Sequence, residues 1–104
     1  MFKELAENLG LDEDEFRELA VLIVDTAAGD IERLEEAAQK GDATLASEAS
    51  HSLKGAAGNL GFMELSDIAR QIEEKARKKS IEGISEGIAL IKEQVNLISK
   101  ELNG

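Results

Sequence analysis

The residue types best suited to chemistry are gathered in one run, Ser50-His51-Ser52-Leu53-Lys54-Gly55-Ala56-Ala57-Gly58-Asn59-Leu60-Gly61. His51 is the only histidine in the chain. A neutral imidazole is a competent nucleophile near neutral pH, and an ammonium beside it can stabilise anionic charge. The run reads as a helix, because Leu45, Ala49, Leu53, Ala56 and Leu60 recur at steps of four and three. Those residues define its buried face. His51 precedes Leu53 by two positions, about 200° around the helix, so it points to solvent. Lys54 and Gly55 follow one turn later and neighbour the ring on the exposed face. Gly58 extends that face by another turn. Glycine inside a helix costs about 0.5–1 kcal/mol relative to alanine. Gly55 and Gly58 share the face of His51, so they are expected to admit a second surface; close helix–helix packing is the competing reading. Gly61, after Asn59-Leu60, is placed to end the helix.

The rest of the chain must bury the other face of this helix. Its 104 residues suit one domain spanning 1–104, and 42% hydrophobic residues suffice for an ordinary core. Absent proline, few aromatics and abundant Ala, Leu, Ile, Glu and Lys predict an all-helical chain. A short amphipathic helix is expected at 2–9, with Phe2, Leu5 and Leu9 as its apolar members and Gly10 ending it. Asp12 is the next N-cap. Glu15 completes a capping box, and Leu11 with Phe16 can staple it. A long helix over 13–40 carries Phe16, Ala20, Ile23, Ala27, Ile31, Leu34 and Ala38 as its core stripe, with continuity expected through Gly29-Asp30. Asp42 caps the histidine helix, 43–60. A fourth helix, 62–79, buries Leu65, Ile68, Ala69, Ile72 and Ala76. Ser80 is expected to cap a last helix, 81–102, with Ile81, Ile84, Ile88, Ile91, Val95, Ile98 and Leu102 as its seam. The expected fold is an antiparallel four-helix bundle with a short extra N-terminal helix.

Composition removes several functions. A net charge of −10 argues against nucleic acid. The one basic cluster, Arg70, Lys75, Arg77, Lys78 and Lys79, lies mostly at a helix C-terminus, where cations complement the macrodipole. One histidine and no cysteine leave no expected metal site. No serine stands on a nucleophile elbow. No apolar stretch approaches the roughly 20 residues that span a bilayer, and Met1-Phe2-Lys3-Glu4-Leu5 lacks a signal-peptide layout. A cytoplasmic, monomeric protein is the expectation, and Met1 with the compact ending suggests a free unit.

The run His51-Ser52-Leu53-Lys54-Gly55-Ala56-Ala57-Gly58-Asn59-Leu60-Gly61-Phe62 resembles the motif of histidine-containing phosphotransfer (HPt) domains. That family pattern is a His, an apolar residue two later, Lys-Gly, two small residues, then an apolar residue and Gly. Every position matches, and the likeness extends from Ala37 to Glu73. The resemblance implies a phosphorelay intermediate without kinase activity of its own. His51 would attack a receiver-domain phospho-aspartate through Nε2 and pass the phosphoryl group to another receiver. Lys54 would stabilise the phosphoryl oxygens. Glu73, matching the family's Gln or Glu on the following helix, would hold Nδ1–H; a solvated helical Glu is the alternative. No cofactor is implied for this chain, and Mg²⁺ would sit on the partner. Partners would be response-regulator receiver domains or a hybrid histidine kinase. Docking would use Ser52, Gly55 and Gly58, with Lys54 on the rim and an apolar patch including Phe2, Leu5 and Leu9, unless these only cap the bundle. Two other functions stay open: a helical adaptor whose histidine does no chemistry, and the phosphoacceptor domain of a larger hybrid or chemotaxis-type kinase. Chemotaxis-type domains often carry a second His on the following helix. Residues 62–79 hold none, which favours the relay type.

Overall fold

A computed structural model describes all residues, Met1–Gly104, as five α-helices without strands. They are α1 (Phe2–Asn8), α2 (Glu13–Lys40), α3 (Ala43–Asn59), α4 (Met63–Arg77) and α5 (Ile84–Asn103). Helices α2 to α5 form the bundle: α3 packs on α2 and α4, and α5 packs on α2 and α4. The short α1 lies against α2.

The boundaries follow from local chemistry. Asp12 caps α2, accepting from Glu15 N while Glu15 accepts from Asp12 N, which is the expected capping box. α2 runs unbroken through Gly29 to Gly41, whose φ of 66° closes it in a left-handed turn. Asp42 then accepts from Leu45 N and starts α3 after a two-residue connection. So short a link forces α2 and α3 to run antiparallel, and Leu60-Gly61-Phe62 does the same for α3 and α4. Gly61 has φ 85°, as a helix terminator should.

One boundary differs from expectation. The last helix begins at Ile84, not at 81, and Ser80 does not cap it. Ser80 to Gly83 form a turn in which Ser80 Oγ accepts from Glu82 N at 3.3 Å. Gly83, in a left-handed conformation with φ 75°, occupies the N-cap position instead. Ile81 remains half-buried outside the helix, which is why it matched the helical seam.

The three phenylalanines meet at one end of the bundle. Phe2, Phe16 and Phe62 have centroids 5.3–6.2 Å apart in tilted and edge-on pairs. All three are buried, so α1 is anchored through Phe2. Arg17 lies 5.5 Å over the Phe2 ring and donates to the carbonyls of Glu101 and Leu102, covering the C-terminal end of α5.

The core stripes are slightly rotated from expectation. On α2, Asp30 and Ala37 are buried while Ile31 and Ala38 are only half-buried. On α3, Ala46, Ser50 and Ala57 are buried while Leu45 and Ala56 are half-buried. Alanines recur along both buried stripes, and the larger Leu45 and Ile31 pack at the flanks of the core. Buried Ser50 returns its hydroxyl to Ala46 O at 2.6 Å, so it leaves no polar group unpaired.

Candidate functional site

His51 stands mid-way along α3 with its side chain 63% exposed. The neighbouring turn of α4 brings up Glu73, whose side chain is only 3% exposed. His51 Nδ1 lies 2.7 Å from Glu73 Oε2. Lys54 Nζ donates to Oε1 of the same carboxylate at 2.7 Å, and Arg77 Nη2 donates to Oε2 at 2.9 Å. One buried carboxylate therefore joins three basic side chains from two helices.

Burial pushes the Glu73 carboxyl up. Hydrogen bonds from Lys54 and His51, with the charges of Lys54 and Arg77, outweigh that and hold it below the usual carboxylate range. Glu73 is thus ionised at neutral pH and can only accept hydrogen bonds. The Nδ1 nitrogen must then be the donor. In the neutral ring this leaves Nε2 unprotonated, on the exposed side, with its lone pair available.

This arrangement has a stability consequence. A carboxyl whose pKa is lowered by folding contributes stability above its unfolded-state pKa and loses it as pH falls through the folded value. Wild type should therefore resist urea better than Glu73→Gln at neutral pH. The two midpoints should converge as pH drops below the ordinary carboxylate range. A gap that persisted into that acid range would show that the stabilisation does not come from the ionised carboxylate.

A second polar link lies on the other flank of α3. Ser52 Oγ donates to Asp30 Oδ2 at 3.1 Å, and Arg33 Nη1 donates to Asp30 Oδ1 at 3.3 Å. Asp30, 5% exposed, ties α2 to α3 one residue from the histidine. Its position in step with Ile23, Ala27 and Leu34 was the signal that it faces inward; Gly29 beside it disguised that signal.

The two glycines differ. A Cβ on Gly55 would meet nothing within 4 Å, so this position is open to solvent next to the ring. A Cβ on Gly58 would come within 3.3 Å of Ser66 Oγ on α4. That hydroxyl donates to Lys54 O at 3.0 Å. Gly58 is half-buried against α4, where the Ser66 side chain stands over it. The close-packing reading describes Gly58, and the open-face reading describes Gly55. Lys54 itself is turned toward α4 and 31% exposed.

The N-terminal candidates also separate. Phe2 is a core residue, 1% exposed. Leu5 is half-buried, with Cδ2 at 3.1 Å from where a Gly61 Cβ would stand. Leu9 is exposed at 42%. Two apolar residues of α2 not singled out from the sequence, Leu19 and Leu22, are exposed at 37% and 60%. Arg77 was also missed as a site residue; its spacing of four from Glu73 on one helix was the available signal.

An exposed helical imidazole, held by a carboxylate from the next helix, is what the family motif implied. The family model described as Hpt domain matches residues 18–101. Among solved structures, histidine-containing phosphotransfer protein B (HptB) from Pseudomonas aeruginosa PAO1 is similar, with a TM-score of 0.84 and 25% sequence identity. That match covers 95% of this chain and 86% of the other. No curated protein sequence matches the chain. No helix is long and apolar enough to cross a membrane. Motif, matched family model and superimposable helical fold agree, and the chain belongs to the Hpt domain family, with a role in histidine phosphotransfer within a phosphorelay.

Proposed function

We propose that His51 is the phosphoacceptor of a carrier that has no kinase activity of its own. The observation that carries this reading is the Nδ1–Glu73 contact of 2.7 Å on a side chain 63% exposed, which leaves Nε2 free and accessible. In the forward step the Nε2 lone pair attacks the phosphorus of a receiver-domain aspartyl phosphate. The N–P bond forms as the P–O bond breaks, and the aspartate leaves as a carboxylate. Nδ1 keeps its proton, so positive charge develops on the ring, beside the Glu73 carboxylate. The reverse step delivers the group to a second receiver aspartate. Such transfer depends on positioning and charge stabilisation more than on covalent help from the protein. Lys54, one turn from the ring, supplies a cation for the phosphoryl oxygens.

The receiver aspartate and the Mg²⁺ that assists it belong to the partner. This chain acts as a monomer in the cytoplasm and holds no cofactor. The receiver docks over the open ground at Gly55. Ser52 and Lys54 lie on its two flanks, and α2, which carries exposed Leu19 and Leu22, is tied to the Ser52 flank through Asp30. A transient contact of this kind buries a small area and releases readily.

The test is phosphoryl transfer from a panel of phosphorylated receiver domains, read by intact mass and acid lability of the product. The expected result is one acid-labile phosphoryl group mapping to His51. Binding of receivers without transfer to His51 would replace this reading with a helical adaptor.

A further inference from the structure

Glu73 carries more positive charge than its burial requires. A buried carboxylate needs a partner to offset its desolvation, and one cation would serve. Glu73 has two, Lys54 at 2.7 Å on Oε1 and Arg77 at 2.9 Å on Oε2, besides the His51 N–H. A second cation adds little unless the first has to leave.

The two cations are tethered differently. Lys54 stands on α3, one turn from His51, and its compact charge rides on a flexible four-carbon stem. Arg77 stands on α4, one turn from Glu73 itself, so its contact does not depend on α3. It also shares Oε2 with the imidazole N–H, whereas Lys54 holds only Oε1. Departure of Lys54 therefore leaves the oxygen that aims the ring still paired.

Resting on the reading of His51 as phosphoacceptor, we propose that Lys54 has two stations, Glu73 before transfer and the phosphoryl oxygens after it. Arg77 is the positioning residue that stays on Glu73 and keeps the carboxylate on Nδ1–H when Lys54 leaves. The driving force is charge. Formation of the N–P bond brings a phosphoryl group of higher negative charge than a carboxylate within reach of the Lys54 stem. No proton moves in that exchange. Glu73 then faces a cationic ring and Arg77. The lowered carboxyl of Glu73 is consistent with this, since both Lys54 and Arg77 contribute to it.

The experiment uses the full chain as wild type, Arg77→Ala and Arg77→Lys. Nitrogen NMR of the His51 ring reports its tautomer at rest, and transfer is timed from a phosphorylated receiver domain. At rest, Arg77→Ala should keep the Nδ1–H tautomer, because Lys54 still holds Glu73. Transfer should slow by about tenfold, the factor for one lost charge-assisted hydrogen bond. Arg77→Lys should restore most of the rate. Loss of the resting tautomer in Arg77→Ala would overturn the proposal, since Arg77 would then be needed before Lys54 moves. So would an Arg77→Ala rate equal to wild type, or a slowed rate that Arg77→Lys does not improve. A folded wild type that takes up no phosphoryl group from any donor would overturn the phosphoacceptor reading, and this inference with it.

Discussion

His51→Gln is expected to abolish phosphoryl uptake completely while leaving the fold intact. The glutamine amide has no nucleophilic nitrogen, so no stable N–P bond can form. Its NH₂ can still donate to Glu73, so the buried carboxylate keeps a neutral donor in the histidine's place. The side chain it replaces is 63% exposed, and its removal opens no cavity. Stability should therefore change by about 0.5 kcal/mol or less. Intact mass after incubation with phosphorylated receivers reads the first effect, and urea unfolding reads the second. Retained acid-labile label would mean that another group is the acceptor. Unfolding of the variant would mean that the ring helps to hold the bundle together through Glu73.

Some parts of this molecule announce themselves in the sequence because they rest on local rules. The Asp12–Glu15 capping box, the Asp42 cap and the terminators Gly10 and Gly61 each need only a few adjacent residues, and all are found. The phase of α3 is equally local, and it put His51 outward before any partner helix was known. The start of α5 was not legible for a related reason. Ser80 is a good cap by type, and Ile81 is in phase with the later seam. Only the left-handed Gly83 and the turn before it move the helix start to Ile84.

What the sequence concealed depends on contacts between helices. Gly58 and Gly55 look alike along the chain, yet only Gly58 faces Ser66. Asp30 looked like an interruption of an apolar stripe. It is instead a buried carboxylate that Ser52 and Arg33 satisfy. Arg77 was grouped with Lys78 and Lys79 as a basic helix end, where charge near a C-terminus is ordinary. Only the inward turn of Glu73 gives Arg77 a different task. In each case the missing information was which flank of a helix meets which neighbour. Periodicity yields the buried face but does not assign its two flanks.

The two glycines turn that distinction into a measurable divergence. Gly55→Ala should stabilise the protein by about 0.5–1 kcal/mol, because it gains helix propensity and meets no neighbour. Gly55→Trp should also fold, since the added ring projects into open space. It should nonetheless cut transfer by about a hundredfold, because a receiver held even slightly away from Nε2 loses the in-line geometry. Gly58→Ala should behave in the opposite way. Its Cβ would crowd Ser66 Oγ at 3.3 Å and press on the hydroxyl that donates to Lys54 O. The crowding and the yielding hydrogen bond together cost about 1–2 kcal/mol, against a propensity gain of about 0.5–1 kcal/mol, so a net loss is expected, and Ser66→Ala in the same chain should recover part of it. Urea midpoints and transfer rates on the four variants decide the matter. If Gly55→Trp transferred at the wild-type rate, the receiver would have to approach His51 from another side. The open ground beside the ring would then be an incidental gap on α3.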